Sequence, residues 1–353
     1  MIDELENLGV KNEVFVPVYS NNGHIVIPNK NVNVAVCFKK LDRMFYNIKQ
    51  KKIKERVKQD FNIKEFWNLH AYTVFTDGNV ARNLSKEFGI PYVVAVRNTD
   101  VNVFFKYMIH LRKTGVNVLK DAKAVFFLSN SYQKQVIETY IPLKYQKEIL
   151  LKSYIIPNGI DFFWHENLYN SYQPLAKMEL FKKQKLTLIY AGVIDKNKNI
   201  TTTCEAIKIL ECEGWEIKFI VVGEIKNNGV FAAIKKFINY VEPKAKEDLI
   251  NIFRESDIFI MPSHTETFGL VYAEAMSQGL PVLYTKGQGF DGQFLDGVVG
   301  YAVSDTDAKD ISEKIKKCVF NYEKLRENCL TLVDKFKWNQ ICEIYKSIYQ
   351  EKG

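Results

Sequence analysis

Short apolar runs alternate with amphipathic stretches along the whole chain. This rhythm is typical of βα units, in which the strands of a parallel sheet alternate with helices. Apolar residues fill successive positions within the runs, so both faces of the sheets are expected to be covered. The pattern predicts an α/β fold with doubly wound parallel sheets, whose strands are residues 13–16, 32–37, 92–96 and 124–128 in the first half and 186–191, 217–222, 257–261 and 281–284 in the second.

The two ends of the chain have a helical pattern instead. Residues 1–8 are interpreted as a helix, and the last segment places apolar side chains at helical spacing, at Trp338, Ile341, Cys342, Tyr345, Ile348 and Tyr349. Such spacing predicts an amphipathic helix that covers an apolar surface elsewhere in the molecule.

Length and composition set the scale of the fold. A chain of 353 residues divides into about two domains of ordinary size. With 47% hydrophobic and 25% charged residues, it has the composition of a globular protein. No apolar run approaches the ~18 residues of a membrane helix, and the first residues are acidic where a signal peptide is basic. We therefore expect a cytoplasmic protein.

The six cysteines lie far apart, without a C-x-x-C pair or clustered histidines that would complete a zinc set. We expect them to be reduced thiols, most of them in the core. Neither a metal site nor a bound cofactor is expected from this pattern.

The strongest candidate for chemistry follows the predicted strand at 257–261. Ligands of open α/β sheets bind beyond the carboxyl ends of the strands, and the loop there contains Glu266. Gly269 permits close approach of the backbone, and the next helix presents free amides to an anion such as a diphosphate. Glu274, about one turn into that helix, can accept paired hydrogen bonds from ribose hydroxyls. This arrangement suits a nucleotide sugar, but most glutamates are solvated surface acids, and spacing alone leaves that alternative open.

The residues around this loop also resemble a known signature. They are similar to the E-x7-E motif of retaining GT-B glycosyltransferases, especially glycosyltransferase family 4, at Pro262-Ser263, Glu266, Phe268-Gly269-Leu270, Glu274-Ala275-Met276 and Gly279-Leu280-Pro281-Val282. Further similar segments follow the family's order at residues 156–161, 191–192, 221–223 and 288–301, so the resemblance covers nearly all of the chain from about residue 66 onward. It implies the GT-B fold, with two Rossmann-like doubly wound domains facing across a cleft and a C-terminal helix returning to the first domain.

The resemblance implies a donor site in the second domain. Its residues are Gly192, Lys198, Lys196, Thr267, Phe268, Gly269, Leu270 and Glu274. Among them, Glu274 would bind the ribose and residues 268–270 the phosphates, while Glu266 would contact the transferred sugar. The family usually has Arg directly after Gly192, where this chain has Val193. Lys198 matches the family's second cation, and Lys196 is near enough to replace the first, unless it is an ordinary solvated lysine.

In the first domain, the resemblance points to the loop after the strand at 92–96. Arg97 stands where family members commonly have His, and Asp100 matches a family acid, so both join Glu266 as catalytic candidates. Arginine can hold a phosphate or an acceptor bidentately, but a structural salt bridge between Arg97 and Asp100 is an equal alternative. Further candidates for the cleft are His70, Asn158 and His264, and a structural function is the alternative for His70.

The resemblance also predicts the domain limits. We expect an N-terminal, acceptor-side domain at residues 1–163, a C-terminal nucleotide-sugar-binding domain at 164–335 and a crossover helix at 336–353. The family begins with a strand and a glycine-rich turn, whereas residues 1–8 of this chain already have the helical pattern. The first βα unit is therefore expected to be missing or reduced.

The net charge of +8 is concentrated in one segment. Residues 38–58 contain nine Lys or Arg against two acids, and Leu41, Met44, Phe45, Ile48 and Ile53 approximate one face of a helix. A basic amphipathic helix binds an anionic membrane surface, with about 1 kcal/mol from each charge near the surface. The same pattern describes a helix that packs on a sheet with a solvated lysine face. Nucleic acid is not expected as a partner, because no binding module accompanies the charge.

The predicted function is the retaining transfer of a sugar from a UDP- or GDP-sugar to a hydroxyl of a glycan or lipid-linked acceptor. The setting would be the synthesis of a surface or capsular polysaccharide or a glycolipid, in the cytoplasm or at the inner face of the membrane. The resemblance implies a front-face route in which the leaving phosphate helps to take the acceptor proton. The main alternative is a catalytically inactive GT-B homologue that serves as a nucleotide-sugar-binding or scaffold subunit; an epimerase or phosphorylase is another.

Overall fold

The computed structural model describes residues 1–20, 27, 29–169 and 174–351. Packing divides the chain into two compact units. The first comprises Met1–Leu128, Gln133–Ile156 and Trp338–Gly353, and the second comprises Ser129–Tyr132 and Pro157–Lys337. The main passage from the first unit to the second is at residues 156 and 157, and the chain returns at 337 and 338.

The first unit contains two parallel sheets. One pairs β1 with β2, and the other has the order β3-β4-β5-β6. The strands are β1 (Val14–Tyr19), β2 (Val32–Phe38), β3 (Leu69–Ala71), β4 (Tyr92–Ala95), β5 (Ala124–Phe127) and β6 (Ser153–Ile155). The four strands predicted in the first half of the chain correspond to β1, β2, β4 and β5. No predicted strand corresponds to β3, whose three residues are too few to show a period.

Helices connect these strands. They are α1 (Ile2–Asn7), α2 (Tyr46–Asp60), α3 (Asn79–Phe88), α4 (Arg112–Asp121), α5 (Asn130–Tyr140) and α6 (Leu143–Leu151). Short 3₁₀- or π-helical segments lie at Lys40–Met44, Ile63–Glu65, Val74–Gly78, Asp100–Phe105 and Ile109–Leu111. α1 precedes β1, whereas α2 to α6 lie in the crossovers that the parallel strands from β2 to β6 require; together they supply apolar cover for the sheets.

The second unit is built on a six-stranded parallel sheet of order β12-β11-β10-β7-β8-β9. Its strands are β7 (Lys185–Ala191), β8 (Glu216–Val222), β9 (Asn239–Val241), β10 (Ile258–Met261), β11 (Val282–Thr285) and β12 (Gly300–Val303). Every residue of β10 and β11 is buried, as expected for strands covered on both faces. The helices are α7 (Phe162–Glu166), α8 (Pro174–Lys182), α9 (Ile200–Cys212), α10 (Asn228–Ile234), α11 (Lys246–Arg254), α12 (Leu270–Ser277), α13 (Ala308–Phe320) and α14 (Tyr322–Leu332), followed by a 3₁₀ segment at Val333–Phe336.

The last helix, α15 (Trp338–Gln350), belongs to the first unit, which confirms the predicted return of the C-terminal helix. Its buried residues lie at the spacing seen in the sequence. They share one core cluster with α1 and with strands β4 and β5, through Leu5, Val93, Ala95, Ala124, Phe126, Ile341, Tyr345, Ile348 and Tyr349. α15 therefore provides one apolar cover of the β3–β6 sheet.

The helix predicted over the basic segment is interrupted. Phe45 has φ −112° and ψ 84°, so it separates the 3₁₀ segment from α2. The backbone N–H of Lys39 donates to the Asp42 carboxylate at 2.7 Å, which closes the 3₁₀ segment as a separate turn. The predicted single apolar face is wrong for this reason: Ile53 is buried, whereas Leu41, Met44, Phe45 and Ile48 remain exposed.

Candidate functional site

The loop between β10 and α12 holds the residues singled out by the sequence. β10 ends at Met261, and α12 begins at Leu270 after Gly269, whose φ is +73°. A Cβ atom at Gly269 would lie 2.6 Å from the Tyr272 ring, so this position requires glycine in both conformation and space. The loop therefore lies at the carboxyl end of a central strand, where open α/β sheets bind their ligands.

A second turn holds the Glu266 loop by close backbone approach. Gly289 donates its N–H to the Glu266 carbonyl at 2.7 Å, and the Gln288 side-chain oxygen accepts the Glu266 N–H at 2.9 Å. A Cβ atom at Gly289 would lie 1.7 Å from the carbonyl oxygen of Thr267. Residues 288 and 289 thus fix the backbone on both sides of Glu266.

Glu266 forms an ion pair with Lys198. The Lys198 Nζ lies 2.6 Å from a carboxylate oxygen, and the two side chains are only 18% and 13% exposed. The other carboxylate oxygen accepts the N–H of Thr267 at 3.0 Å. The structure therefore brings together a cation predicted for the phosphates and a carboxylate predicted for the sugar.

Two asparagines position Lys198 against this loop. Asn197 exchanges hydrogen bonds with Thr265, accepting its N–H at 3.0 Å and donating to its carbonyl at 2.9 Å. Asn199 adopts a left-handed conformation, with φ +54°, and its side-chain amide donates to the carbonyl of Pro262 at 3.0 Å. Sequence reasoning missed both asparagines, although their place just before α9 is a common one for Asn.

The first amides of α12 are available to an anion. No hydrogen bond joins the backbone N–H groups of Phe268, Gly269 and Leu270 to the part of the chain that the structure describes. No side chain caps this end of the helix either. Free amides at a helix start carry partial positive charge and bind phosphate oxygens readily.

Glu274 lies one turn further along α12 and is half-buried. Burial raises the pKa of this carboxyl from 4.5 to about 7, with a smaller contribution from the negative charge of Asp161. Its carboxylate has no hydrogen-bond partner among residues 1–20, 27, 29–169 and 174–351. A half-buried carboxyl without a partner is a suitable acceptor for a ligand's hydroxyl groups.

The remaining candidates of the second unit are Gly192, Lys196, His264 and Asn158. Gly192 follows β7 and donates its N–H to Val222 at 2.9 Å. Lys196 is exposed and has no hydrogen bond or ion pair with a described residue, so its ammonium group is solvated. The Nδ1 of His264 lies 2.7 Å from a carboxylate oxygen of Asp305. Asn158 lies in the segment between β6 and α7.

The first-unit candidates Asp100 and Arg97 make contacts within the fold of that unit. Asp100 is buried, and its carboxylate accepts the backbone N–H groups of Arg97 at 2.9 Å and Phe75 at 3.2 Å. Burial raises the pKa of Asp100 to about 7. Asp100 thus binds the backbone of Arg97, while the Arg97 guanidinium lies 5.7 Å from the centre of the Tyr72 ring. This geometry favours a structural function for Asp100, and the catalytic role of Arg97 stays a prediction.

His70 packs among aromatic rings. Its Nδ1 lies 2.6 Å from the Tyr349 hydroxyl, and its ring stacks on Tyr72 at 4.7 Å between centroids. Burial lowers the pKa of His70 to about 3, so the imidazole is neutral. These contacts favour the structural alternative, in which His70 ties β3 to α15. Across the described residues, no group of three or more His, Cys, Asp or Glu side chains is arranged to hold a metal ion.

Comparison with known proteins finds a family model that matches the second unit and relatives that match larger parts of the chain. Residues 173–330 match the family model of glycosyl transferases group 1. The chain is 27% identical over 238 residues to the capsular polysaccharide biosynthesis glycosyltransferase CapM of Staphylococcus aureus, covering 65% of this chain and 61% of CapM. It is 26% identical over 260 residues to the lipopolysaccharide 1,2-N-acetylglucosaminetransferase of Salmonella typhimurium, covering 68% of this chain and 66% of that protein. The match spans slightly less than two thirds of each of these relatives.

Solved structures share the fold over nearly the whole chain. Sucrose-phosphate synthase from Thermosynechococcus elongatus superposes with a TM-score of 0.73 at 16% identity, covering 99% of this chain and 91% of that structure. HepE of Anabaena in complex with UDP superposes with a TM-score of 0.68 at 15% identity, covering 95% and 98%. These likenesses confirm the predicted GT-B fold class.

The raised pKa of Glu274 predicts a pH-dependent contribution to stability. The folded chain holds a proton on Glu274 that the unfolded chain releases, so this contribution falls as pH rises from about 4.5 through 7. Glu274→Gln removes the titrating group, so the variant does not lose this stability as the pH rises. Between pH 5 and pH 8, we expect the stability of the variant relative to the parent to increase by ~1–2 kcal/mol, measured by urea unfolding.

Glu179→Gln is the matched control, because the Glu179 side chain is 66% exposed in the same unit. Its stability difference from the parent should be the same at both pH values. A constant difference for Glu274→Gln would contradict the assignment.

Proposed function

We propose that this protein transfers a sugar from a nucleoside-diphosphate sugar to a hydroxyl acceptor. The premise is the match of residues 173–330 to the family model of glycosyl transferases group 1. The observation that carries the proposal is the Glu266 loop. There Lys198, from the segment before α9, pairs with Glu266, next to the free amides at the start of α12 and the half-buried Glu274 carboxyl one turn into that helix. A diphosphate flanked by two sugars presents the complementary groups.

In this proposal, the diphosphate binds between Lys198 and the start of α12. Lys198 is held in place by Glu266 before the donor arrives, so its positive charge is already oriented. The amides of residues 268–270 supply further donors to the phosphate oxygens. Lys196, which is exposed, takes the place of the arginine that Val193 replaces.

Glu274 and Glu266 bind the two sugar groups of the donor. The Glu274 carboxyl accepts hydrogen bonds from the ribose hydroxyls, which gives its unpaired oxygens partners on binding. Glu266 contacts the transferred sugar, while its ion pair with Lys198 keeps it close to the diphosphate. The titration of Glu274 near pH 7 makes donor affinity dependent on pH in that range.

The proposed reaction retains the configuration of the anomeric carbon. The bond from that carbon to the diphosphate oxygen breaks, and the acceptor oxygen bonds to the same face of the carbon. The acceptor proton passes to an oxygen of the leaving diphosphate. Lys198 and the α12 amides stabilise the negative charge that develops on the leaving group, which is the main task of such a site.

A UDP-sugar is the first donor class to examine. The support is that HepE of Anabaena, which shares the fold, has been solved with UDP and with UDP-glucose. The relatives CapM and the Salmonella transferase act in capsular polysaccharide and lipopolysaccharide synthesis by their names. We therefore propose a surface glycan or a lipid-linked glycan as the acceptor.

An exposed apolar patch of the first unit supports a membrane-associated acceptor. Leu41, Met44, Phe45 and Ile48 are 72%, 79%, 57% and 49% exposed around the break between the 3₁₀ segment and α2. Lysines flank them on both sides, at residues 39, 40, 51 and 52. Apolar side chains bordered by cations are suited to the interface of an anionic bilayer. No helix within the described ranges is long and apolar enough to cross a membrane.

Nucleotide binding tests the donor site directly. Lys198→Ala should weaken UDP binding by about 10- to 100-fold, because a charge-assisted contact to phosphate is lost, and the melting-temperature increase with UDP should shrink accordingly. Lys185→Ala is the control, since Lys185 forms an exposed ion pair at the amino end of β7, away from the loop. Lys198→Ala also removes the ion pair with Glu266. The melting temperature of each variant without nucleotide measures that effect on stability and separates it from the effect on UDP binding.

The melting-temperature measurements should also include GDP, ADP and the sugar conjugates of the three nucleotides. Release of free nucleotide from these conjugates measures turnover. Equal stabilisation of the Lys198→Ala variant and the parent by UDP, GDP and ADP would contradict the site. Stabilisation by nucleotide without hydrolysis or transfer from any donor would support the inactive binding subunit instead.

Membrane association predicts selective vesicle binding. Replacing Leu41, Met44 and Phe45 with Ser should reduce flotation with vesicles of about 30% anionic lipid by at least about tenfold. Leu143→Ser combined with Leu151→Ser is the matched control, because these leucines of α6 are 85% and 78% exposed in the same unit. Equal flotation of the two variants would contradict a specific role for the patch.

A further inference from the structure

Gln288 is held rigidly in the turn that follows β11. Its backbone N–H donates to the carbonyl of Thr285 at 3.2 Å, and its own carbonyl accepts the N–H of Asp291 at 2.9 Å. The Asp291 carboxylate closes the same turn, because it accepts the N–H of Gly287 at 2.6 Å. The side-chain oxygen of Gln288 accepts the N–H of Glu266 at 2.9 Å. The backbone and the side chain of Gln288 are therefore both fixed before a ligand binds.

The side-chain nitrogen of Gln288 is the one polar group of this residue that remains unused. A primary amide has an acceptor oxygen and two N–H donors on its nitrogen. The partner of the oxygen is a backbone N–H, which can only donate, so the orientation of the amide is determined. Its nitrogen makes no hydrogen bond with a residue in the ranges that the structure describes. Two N–H donors are thus available beside the Glu266 loop.

The energy balance of the contact with Glu266 favours a second use of this amide. Fixing a glutamine side chain costs up to about 1.5–2 kcal/mol of conformational entropy. A neutral hydrogen bond contributes about 0.5–1.5 kcal/mol, so this single contact at best roughly offsets the entropy. A ligand that accepts a hydrogen bond from the amide does not have to order it on binding.

The carboxylate of Glu266 supplies acceptors next to these donors. Gln288 follows β11 and Glu266 follows β10, and the two strands pair in parallel, so both residues lie at the edge where open α/β sheets bind ligands. Both side chains are half-buried. The carboxylate oxygens of Glu266 contact Lys198 at 2.6 Å and the N–H of Thr267 at 3.0 Å, and each oxygen has capacity for a further hydrogen bond.

A donor beside an acceptor is complementary to a hydroxyl group. A sugar hydroxyl donates its proton to a carboxylate and accepts an N–H at its oxygen. A phosphate oxygen can only accept, and the negative charge of Glu266 repels it. The combination of Gln288 and Glu266 therefore favours the sugar of a nucleotide sugar over its diphosphate.

We propose that Gln288 is a sugar-binding residue, whose side-chain nitrogen donates to a hydroxyl of the transferred sugar while the same hydroxyl donates to Glu266. The proposal rests on the proposed sugar transfer and deepens it. It assigns a residue that distinguishes a sugar conjugate from the bare nucleotide.

The test compares the binding of nucleotides and of their sugar conjugates by calorimetric titration without an acceptor. The ligands are UDP with UDP-glucose, UDP-galactose and UDP-N-acetylglucosamine, and GDP with GDP-mannose. The measured quantity is the ratio of the Kd of the sugar conjugate to the Kd of its nucleotide, for the conjugate that the parent binds most tightly. Effects on the shared diphosphate cancel in this ratio.

Two variants separate the donors of the amide from its oxygen. Gln288→Met removes both, whereas Gln288→Glu keeps an oxygen for the N–H of Glu266 and has no N–H donor at neutral pH. Both variants should raise the ratio by about 3- to 10-fold, which corresponds to the loss of one neutral hydrogen bond. Gln184→Met is the control and should leave the ratio unchanged, because Gln184 is exposed just before β7, at the amino end of the same sheet.

An unchanged ratio in Gln288→Met would overturn the proposal. A ratio raised in Gln288→Met but not in Gln288→Glu would overturn it as well, because Gln288 would then act only by holding the backbone of Glu266. Failure of the proposed sugar transfer gives a different result, in which the parent binds none of these nucleotides or conjugates.

Discussion

Parallel strand pairing is the constraint on which the rest of this structure depends. Every sheet in the described residues is parallel, so each strand must be followed by a crossover, and all strand ends of one kind gather at one edge. In the second unit this places the Glu266 loop, the Gly289 turn and the segment before α9 side by side. In the first unit, β1 and β3 each lie at an edge of their sheet among the described residues.

The charges of the candidate donor site are arranged before any ligand is present. Lys198 is paired, whereas the amides of residues 268–270 and the Glu274 carboxyl lack partners in the described chain. Fixed dipoles and charges that need no reorganisation are the most effective way to stabilise a developing negative charge. The cost is borne by the protein fold, since Glu274 is held in surroundings that disfavour its ionised form.

The sequence predicts those parts of the fold that repeat a simple period. The apolar runs that form β7, β8, β10 and β11 and the spacing that forms α15 were recognisable, because burial on two faces or on one face determines their residue types. The break at Phe45 was not recognisable, since it depends on a turn closed by a single side chain. The E-x7-E resemblance located the Glu266 loop, but it gave no indication of Asn197 or Asn199, whose side chains contact residues more than sixty positions away in the sequence. For His70 the resemblance suggested a place in the cleft, whereas its side chain packs against the rings of Tyr72 and Tyr349.

The packing of α15 on the first unit has a consequence for biosynthesis. Leu5, Val93 and Phe126 share a core cluster with Tyr345 and its neighbours on α15. A ribosome delivers the early residues of this cluster more than two hundred codons before the late ones. Domains usually fold in the order of their synthesis, but here the first unit keeps an uncovered apolar face until α15 has been synthesised. The nascent chain must therefore be protected from aggregation in the interval between the synthesis of β5 and the synthesis of α15.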